Sequence, residues 1–192
     1  MIPSTLKICL ASKSPRRKKL LEQINLHPEI LHCHFEEDFD SRKKVSTIAK
    51  SLALQKMEVA KKENKKGLLI TADTIVVIDG KILGKPNSVK QAVAMLKSLS
   101  GRKHFVYTGF CVFNSMTGKL INDYEKTGVT FRKLKESEIK EYVAGGSPMD
   151  KAGAYGIQDD YGAIFIEKIN GCYYNVVGLP LTKVYQAILK VI

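Results

Sequence analysis

Two rhythms of apolar residues alternate along this chain, one with the period of a helix and one with that of a buried strand. Leu6 to Ala11 predicts a first strand. Ser14-Pro15 then places an N-cap residue and a proline at the first helical position, predicting a helix through Arg16 to Leu26. Glu29 to Phe35 predicts a second strand and is followed by the acidic stretch Glu36, Glu37, Asp38 and Asp40. From Lys44 to Glu63 the apolar positions Val45, Ile48, Ala49, Leu52, Ala53, Val59 and Ala60 recur at helical spacing.

Leu68 to Ile78 is apolar and β-branched on nearly every position, which predicts a central strand buried on both faces. Asp79-Gly80 offers a hairpin turn into Lys81 to Leu83. Asn87 or Ser88 caps a helix carrying Val89, Ala92, Val93, Leu96 and Leu99, with Gly101 placed to end it. His104 to Asn114 and Lys119 to Phe131 predict two long strands about Thr117-Gly118, and Glu136 to Ala144 a short helix stopped by Gly145-Gly146. Ser147 to Asp160 reads as a Gly-rich loop, Tyr161 to Ile169 as a strand, Asn170-Gly171 as a hairpin turn, and Leu181 to Ile192 as a closing helix. Strands alternating with helices, some of them antiparallel, predict an α/β fold with a mixed sheet flanked by helices.

Composition narrows this picture. Of the 192 residues, 44% are hydrophobic and 26% charged, so a packed core is expected and wholesale disorder is excluded. The length fits a single domain over 1–192, or two intimate lobes, and the pattern contains no repeat and no linker. Cys9, Cys33, Cys111 and Cys172 lie far apart without a C-x-x-C pair, and the first residues carry no apolar segment behind a basic one, so a cytoplasmic location is expected. The longest apolar runs fall well short of the roughly 20 residues that cross a bilayer, and no membrane partner is expected.

The formal charge of +12 calls for an anion, whether nucleic acid, an acidic surface or a phosphorylated metabolite. Aromatic residues do not interleave with the basic clusters, which argues against a specific nucleic-acid partner.

Several residues break structural rules. Arg16, Arg17, Lys18 and Lys19 crowd a helix start that the macrodipole already makes positive. They form either a solvated basic face or a cradle for phosphate, and Lys18 and Lys19 are assigned to the former. At about 100° per residue from Val45, Lys56 falls inside the apolar stripe of its helix, either snorkelling or meeting a buried anion. Asp73, followed by Thr74, interrupts the most apolar strand. A carboxylate there is costly unless it is ion-paired, metal-bound or a general base.

Lys85, in Gly84-Lys85-Pro86, lies in a rigid turn; a Walker A loop is excluded because Pro86 stands where Ser or Thr would meet magnesium. Asp150 to Gln158 brings a carboxylate, an ammonium (Lys151) and an amide onto a loop of small residues suited to close backbone approach. His32-Cys33-His34 lacks a second ligand cluster and is not assigned to zinc.

Taken together, Leu10-Ala-Ser-Lys-Ser-Pro-Arg-Arg17, Ala72-Asp-Thr74, Leu83-Gly-Lys-Pro86, Leu99-Ser-Gly-Arg-Lys-His104, Asp150-Lys-Ala-Gly-Ala-Tyr-Gly-Ile-Gln158 and Val177-Gly-Leu-Pro180 resemble the Maf family of nucleoside triphosphate pyrophosphatases. The resemblance spans nearly the whole chain. It implies an elongated mixed sheet with two lobes around a central cleft, like the inosine triphosphate pyrophosphatases, and a homodimer. The implied reaction converts an NTP to NMP and pyrophosphate with a divalent metal, Mg²⁺ or Mn²⁺.

The Ala-Asp-Thr and Tyr-Gly-Ile-Gln forms are similar to those of the dTTP/UTP branch, whose specificity positions fall on Arg16, Thr74 and Gln158. The resemblance makes Asp73 the catalytic and metal-holding carboxylate and Glu37, with Glu36 its neighbour, the second metal ligand. It gives Ser12, Arg17, Lys56, Lys85 and Lys151 to phosphate binding. Asp159 stands where the family often has Gly. The family is also associated with removal of noncanonical nucleotides and with arrest of cell division. The alternative is a basic nucleic-acid-binding or septum-regulating protein without essential catalysis.

Overall fold

The structure, a computed structural model, describes residues 2–3, 6–34, 38–63, 66–158 and 160–192. Seven strands form one mixed sheet: β1 (Ile8–Ala11), β2 (Glu29–Ile30), β3 (Leu68–Ile78), β4 (Lys81–Leu83), β5 (Lys103–Asn114), β6 (Leu120–Phe131) and β7 (Ile166–Asn170). Their order is β2-β1-β3-β5-β6-β7, with β4 pairing off β3. β1 is parallel to β2 and β3, whereas β4 and β7 run antiparallel to their neighbours. Helices flank the sheet: α1 (Pro15–Glu22), α2 (Val45–Lys61), α3 (Val89–Leu99), α4 (Glu136–Ala144), α5 (Tyr173–Val177) and α6 (Leu181–Val191). None of the described helices is long and apolar enough to cross a membrane.

The chain divides into two compact units. One comprises residues 1–73, 108–125 and 178–192, the other 74–107 and 126–177. Three strands, β3, β5 and β6, contribute residues to both.

In the first unit α2 lies directly on the sheet. A Cβ at Gly109 of β5 would stand 1.9 Å from the Ala49 carbonyl oxygen, so only glycine admits this approach. The buried stripe of α2 is Ile48, Ala49, Leu52, Ala53, Met57 and Ala60; Met57 takes the place expected of Val59, which is only partly buried. Cys9, Ala11, Leu69 and Cys111 complete this core.

In the second unit Val76, Ile78, Ala92, Leu96, Leu99, Val106, Val129, Phe131 and Ile139 form one continuous cluster beneath α3 and α4. The β3–β4 hairpin turns at Asp79 (φ 51°) and Gly80 (φ 73°), the paired left-handed residues that an Asp-Gly turn provides. Ser88 caps α3 by accepting the Gln91 N–H, and Gly101 leaves it in a left-handed turn.

Five expectations are corrected. The helix after Pro15 stops at Glu22 because Asn25 turns left-handed (φ 58°). The second strand is limited to Glu29–Ile30; Phe35 lies outside the described residues. Residues 160–165 form a tight 3₁₀ turn, where Gly162 comes against the Gly156 backbone, and the strand begins only at Ile166. Asn170-Gly171 does not open a hairpin. Thr127 Oγ1 accepts the Cys172 N–H and the Asn175 amide, turning the chain into α5. Aromatic and basic residues do interleave in space: the Lys126 ammonium lies 4.1 Å from the Phe105 ring centroid, with Lys103 over the same ring at 5.4 Å.

His104 is buried among Phe131 and Tyr155, their rings meeting edge to face at 4.9 and 5.4 Å. Burial pushes its imidazole down from 6.5 to about 4. The unfolded chain therefore binds a proton that the folded chain refuses. Stability from this group is complete above pH 6.5 and is lost as pH falls toward 4, by roughly 3 kcal/mol across that window. Urea midpoints measured from pH 7 to pH 4.5 are expected to fall more steeply for the wild type than for His104→Phe.

Candidate active site

The pairing of α2 with β3 builds the centre of the first unit. Thr71 Oγ1, buried, donates to the Ala53 carbonyl at 2.7 Å. Side chains two apart share a strand face, and side chains three apart share a helix face. The register that sets Thr71 on Ala53 therefore sets Asp73 on Lys56, whose ammonium donates to Asp73 Oδ1 in an ion pair. Asp73 is 5% exposed. Two sequence anomalies, a lysine in the apolar stripe and a carboxylate in the central strand, thus resolve each other, since a buried charge is tolerated when paired and hydrogen-bonded.

Beside them, Arg17 in the first turn of α1 fastens three segments. Its Nη1 donates to Ser12 Oγ at 3.0 Å and to the Ala72 carbonyl at 2.8 Å, and its Nε to the Gly178 carbonyl at 2.7 Å. Ser14 occupies the N-cap position, but its side chain does not cap; instead its N–H donates to Ser12 Oγ at 3.2 Å. The helix start is thereby turned toward the Ser12 loop. Arg16 is partly buried, whereas Lys18 and Lys19 are exposed, Lys18 pairing with Glu22 at 3.5 Å. The structure brings Ser12, Arg17 and Ala72 together, and Asp73 with Lys56, within this one unit.

The second unit holds the remaining candidates. Thr74 is partly buried on β3, immediately after Asp73. Lys85 is exposed, and the Gly84 carbonyl before it accepts the Gly153 N–H at 3.0 Å, tying its turn to the Asp150–Gln158 loop. Gly153 has φ +70° and its Cα faces Val76, where a Cβ would come within 3.0 Å, so this contact too requires glycine. Lys151 is 7% exposed. Its ammonium donates to the Ser147 carbonyl (2.6 Å), Ser147 Oγ (3.0 Å) and Asp150 Oδ1 (2.8 Å), which uses all three of its protons inside the loop. Gln158 is exposed at the loop's end. Glu37, Glu36 and Asp159 lie outside the described residues.

Sequence reasoning missed the acceptors that organise these side chains. The carbonyls of Ala72 and Gly178 and the Ser147 side chain carry no chemical signature in sequence; each is 55, 161 or 4 positions from its donor. His104 and Tyr155 sat within the family-like motifs without an assigned role. A polar residue at an inward position of β5, alternating with Val106 and Thr108, was the available signal.

The chemistry of the donors fits a hard divalent cation. Asp73 offers carboxylate oxygen, and Mg²⁺ is ordinarily held by one or two carboxylates completed by phosphate oxygens and water. Among the described residues no group of three or more His, Cys, Asp or Glu side chains comes together.

A family model described as Maf-like protein matches residues 7–191. Among curated proteins, a dTTP/UTP pyrophosphatase of Thermoanaerobacter sp. (strain X514) is 47% identical over 186 residues, covering 96% of both chains. One of Clostridium perfringens (strain SM101 / Type A) is 45% identical over 185 residues, 95% of this chain and 96% of the relative. One of Carboxydothermus hydrogenoformans is 45% identical over 181 residues, 94% of this chain and 96% of the relative. With six motifs in order and a match running from the first strand to the last helix, the chain belongs to the Maf-like protein family.

Proposed function

We propose that this protein is a nucleoside triphosphate pyrophosphatase that hydrolyses dTTP and UTP to the monophosphate and pyrophosphate. The observation that carries the reading is the buried Asp73, held on the central strand against Lys56, next to the arginine-fastened start of α1. The relatives, dTTP/UTP pyrophosphatases at 44–47% identity over nearly the full chain, support the same substrates.

Asp73, with Glu37 as second carboxylate, would hold Mg²⁺ or Mn²⁺. When bound, the cation polarises the phosphoryl oxygens and lowers the pKa of coordinated water. Asp73 takes the proton of the water that attacks the α-phosphorus, and pyrophosphate departs. The helix start at Arg16 and Arg17, with its backbone N–H groups and positive dipole end, binds the triphosphate together with Ser12. Lys56 exchanges its bond to Asp73 for phosphate oxygen as substrate arrives. Lys85 and Lys151 add positive charge, stabilising the charge that builds on the leaving group. Thr74, Arg16 and Gln158 read the base.

The protein is proposed to act in the cytoplasm as a homodimer, removing noncanonical nucleotides. A panel of dTTP, UTP, CTP, GTP and 7-methyl-GTP with Mg²⁺ or Mn²⁺ tests the reading. Pyrophosphate from dTTP and UTP is expected; orthophosphate, or no turnover of any nucleotide, contradicts it.

A further inference from the structure

The base-reading residue Gln158 is exposed and lies at the end of a loop, yet an exposed amide discriminates bases only if its backbone is held still. The source of that rigidity is visible. From Gly153 to Gly156 the loop is buried at every position. Tyr155, three residues before Gln158, places its hydroxyl 2.7 Å from His104 Nε2 in a fully buried hydrogen bond. Phe131 wedges against both rings, at 4.9 Å from His104 and 4.7 Å from Tyr155, both edge to face. Gly156 is fixed in turn by Gly162, where an added Cβ would stand 2.4 Å from the Gly156 carbonyl oxygen. His104 itself is on β5, a sheet strand packed into the core of the second unit. A rigid strand therefore grips the loop at one point, and the gripped residue precedes Gln158 by only Gly156 and Ile157.

A phenylalanine at 155 would fill the same space. The buried hydroxyl is a cost unless its partner is present, so the pair specifies one loop position rather than merely filling the core. We propose that His104 is a positioning residue for base selection, fixing through Tyr155 the loop that presents Gln158. This rests on the reading of Gln158 given above.

The test compares wild type, His104→Phe, Tyr155→Phe and the double variant. The readouts are the ratio of kcat/KM for UTP to that for CTP and, without nucleotide, amide hydrogen exchange across residues 153–158. In either single variant the ratio is expected to fall about tenfold, the worth of one buried hydrogen bond, with KM for UTP rising more than kcat falls. Exchange at 156–158 is expected to quicken about tenfold while α3 stays protected. The double variant is expected to be no worse than the worse single one, because both remove the same bond. An unchanged ratio in a folded variant overturns base selection, and unchanged exchange overturns the grip itself. Tyr155→Phe loses a single oxygen and carries the test should His104→Phe fail to fold. If the wild type hydrolyses no nucleotide, the proposed function fails and base selection with it, whereas the exchange result still decides whether His104 fixes the loop.

Discussion

Asp73→Asn is expected to lower kcat for UTP by at least about 10³-fold, since one substitution removes both a proton acceptor and a metal-holding charge. Folding survives, because the Asn side chain keeps an oxygen to accept from Lys56 and fills the same space on β3. The same variant is expected to retain UTP binding, since Ser12 and Arg17 are untouched. Turnover within tenfold of wild type, with a normal melting curve, would remove Asp73 from the chemistry.

Lys56→Ala is the second substitution with a large effect, and it acts on both stability and rate. It leaves the Asp73 carboxylate buried without its counterion. Breaking a buried pair costs about 3–5 kcal/mol, and the partial exposure of Lys56 lowers the expectation here to roughly 2–3 kcal/mol. Loss of a preorganised cation is expected to lower kcat by about 10²-fold. The double variant Lys56→Met with Asp73→Asn separates the two effects. It removes both charges and is expected to regain most of the stability in urea while remaining inactive. A double variant as unstable as Lys56→Ala would show that packing, not charge, holds α2 on β3.

Most of the fold can be read directly from local pattern. Leu68–Ile78 is apolar on nearly every position because both its faces are covered, and Glu136–Ala144 is bracketed by its own acidic first turn and by Gly145-Gly146. Misreadings occur where a distant partner decides. Tyr161 to Ile169 has a strand's composition, but Gly162 is claimed by Gly156 and the Ile164 carbonyl by Arg132, so the chain turns before it extends. The site shows the same division. Asp73 and Lys56 stood out because each contradicts its surroundings, and their contradictions point at one another. Lys151 was legible only as the ammonium of a small-residue loop, and its bonds to Ser147 and Asp150 form only once that loop is folded. The bond between His104 and Tyr155 joins residues 51 positions apart, and its one local trace is the inward polar place of His104 on β5.

Attack of water on the α-phosphorus is read directly by hydrolysis of UTP in ¹⁸O-labelled water. The label is expected to enter UMP, and the pyrophosphate released is expected to carry none. Label in pyrophosphate with unlabelled UMP would place the attack on the β-phosphorus, and label in orthophosphate would place it on the γ-phosphorus; either result contradicts the mechanism.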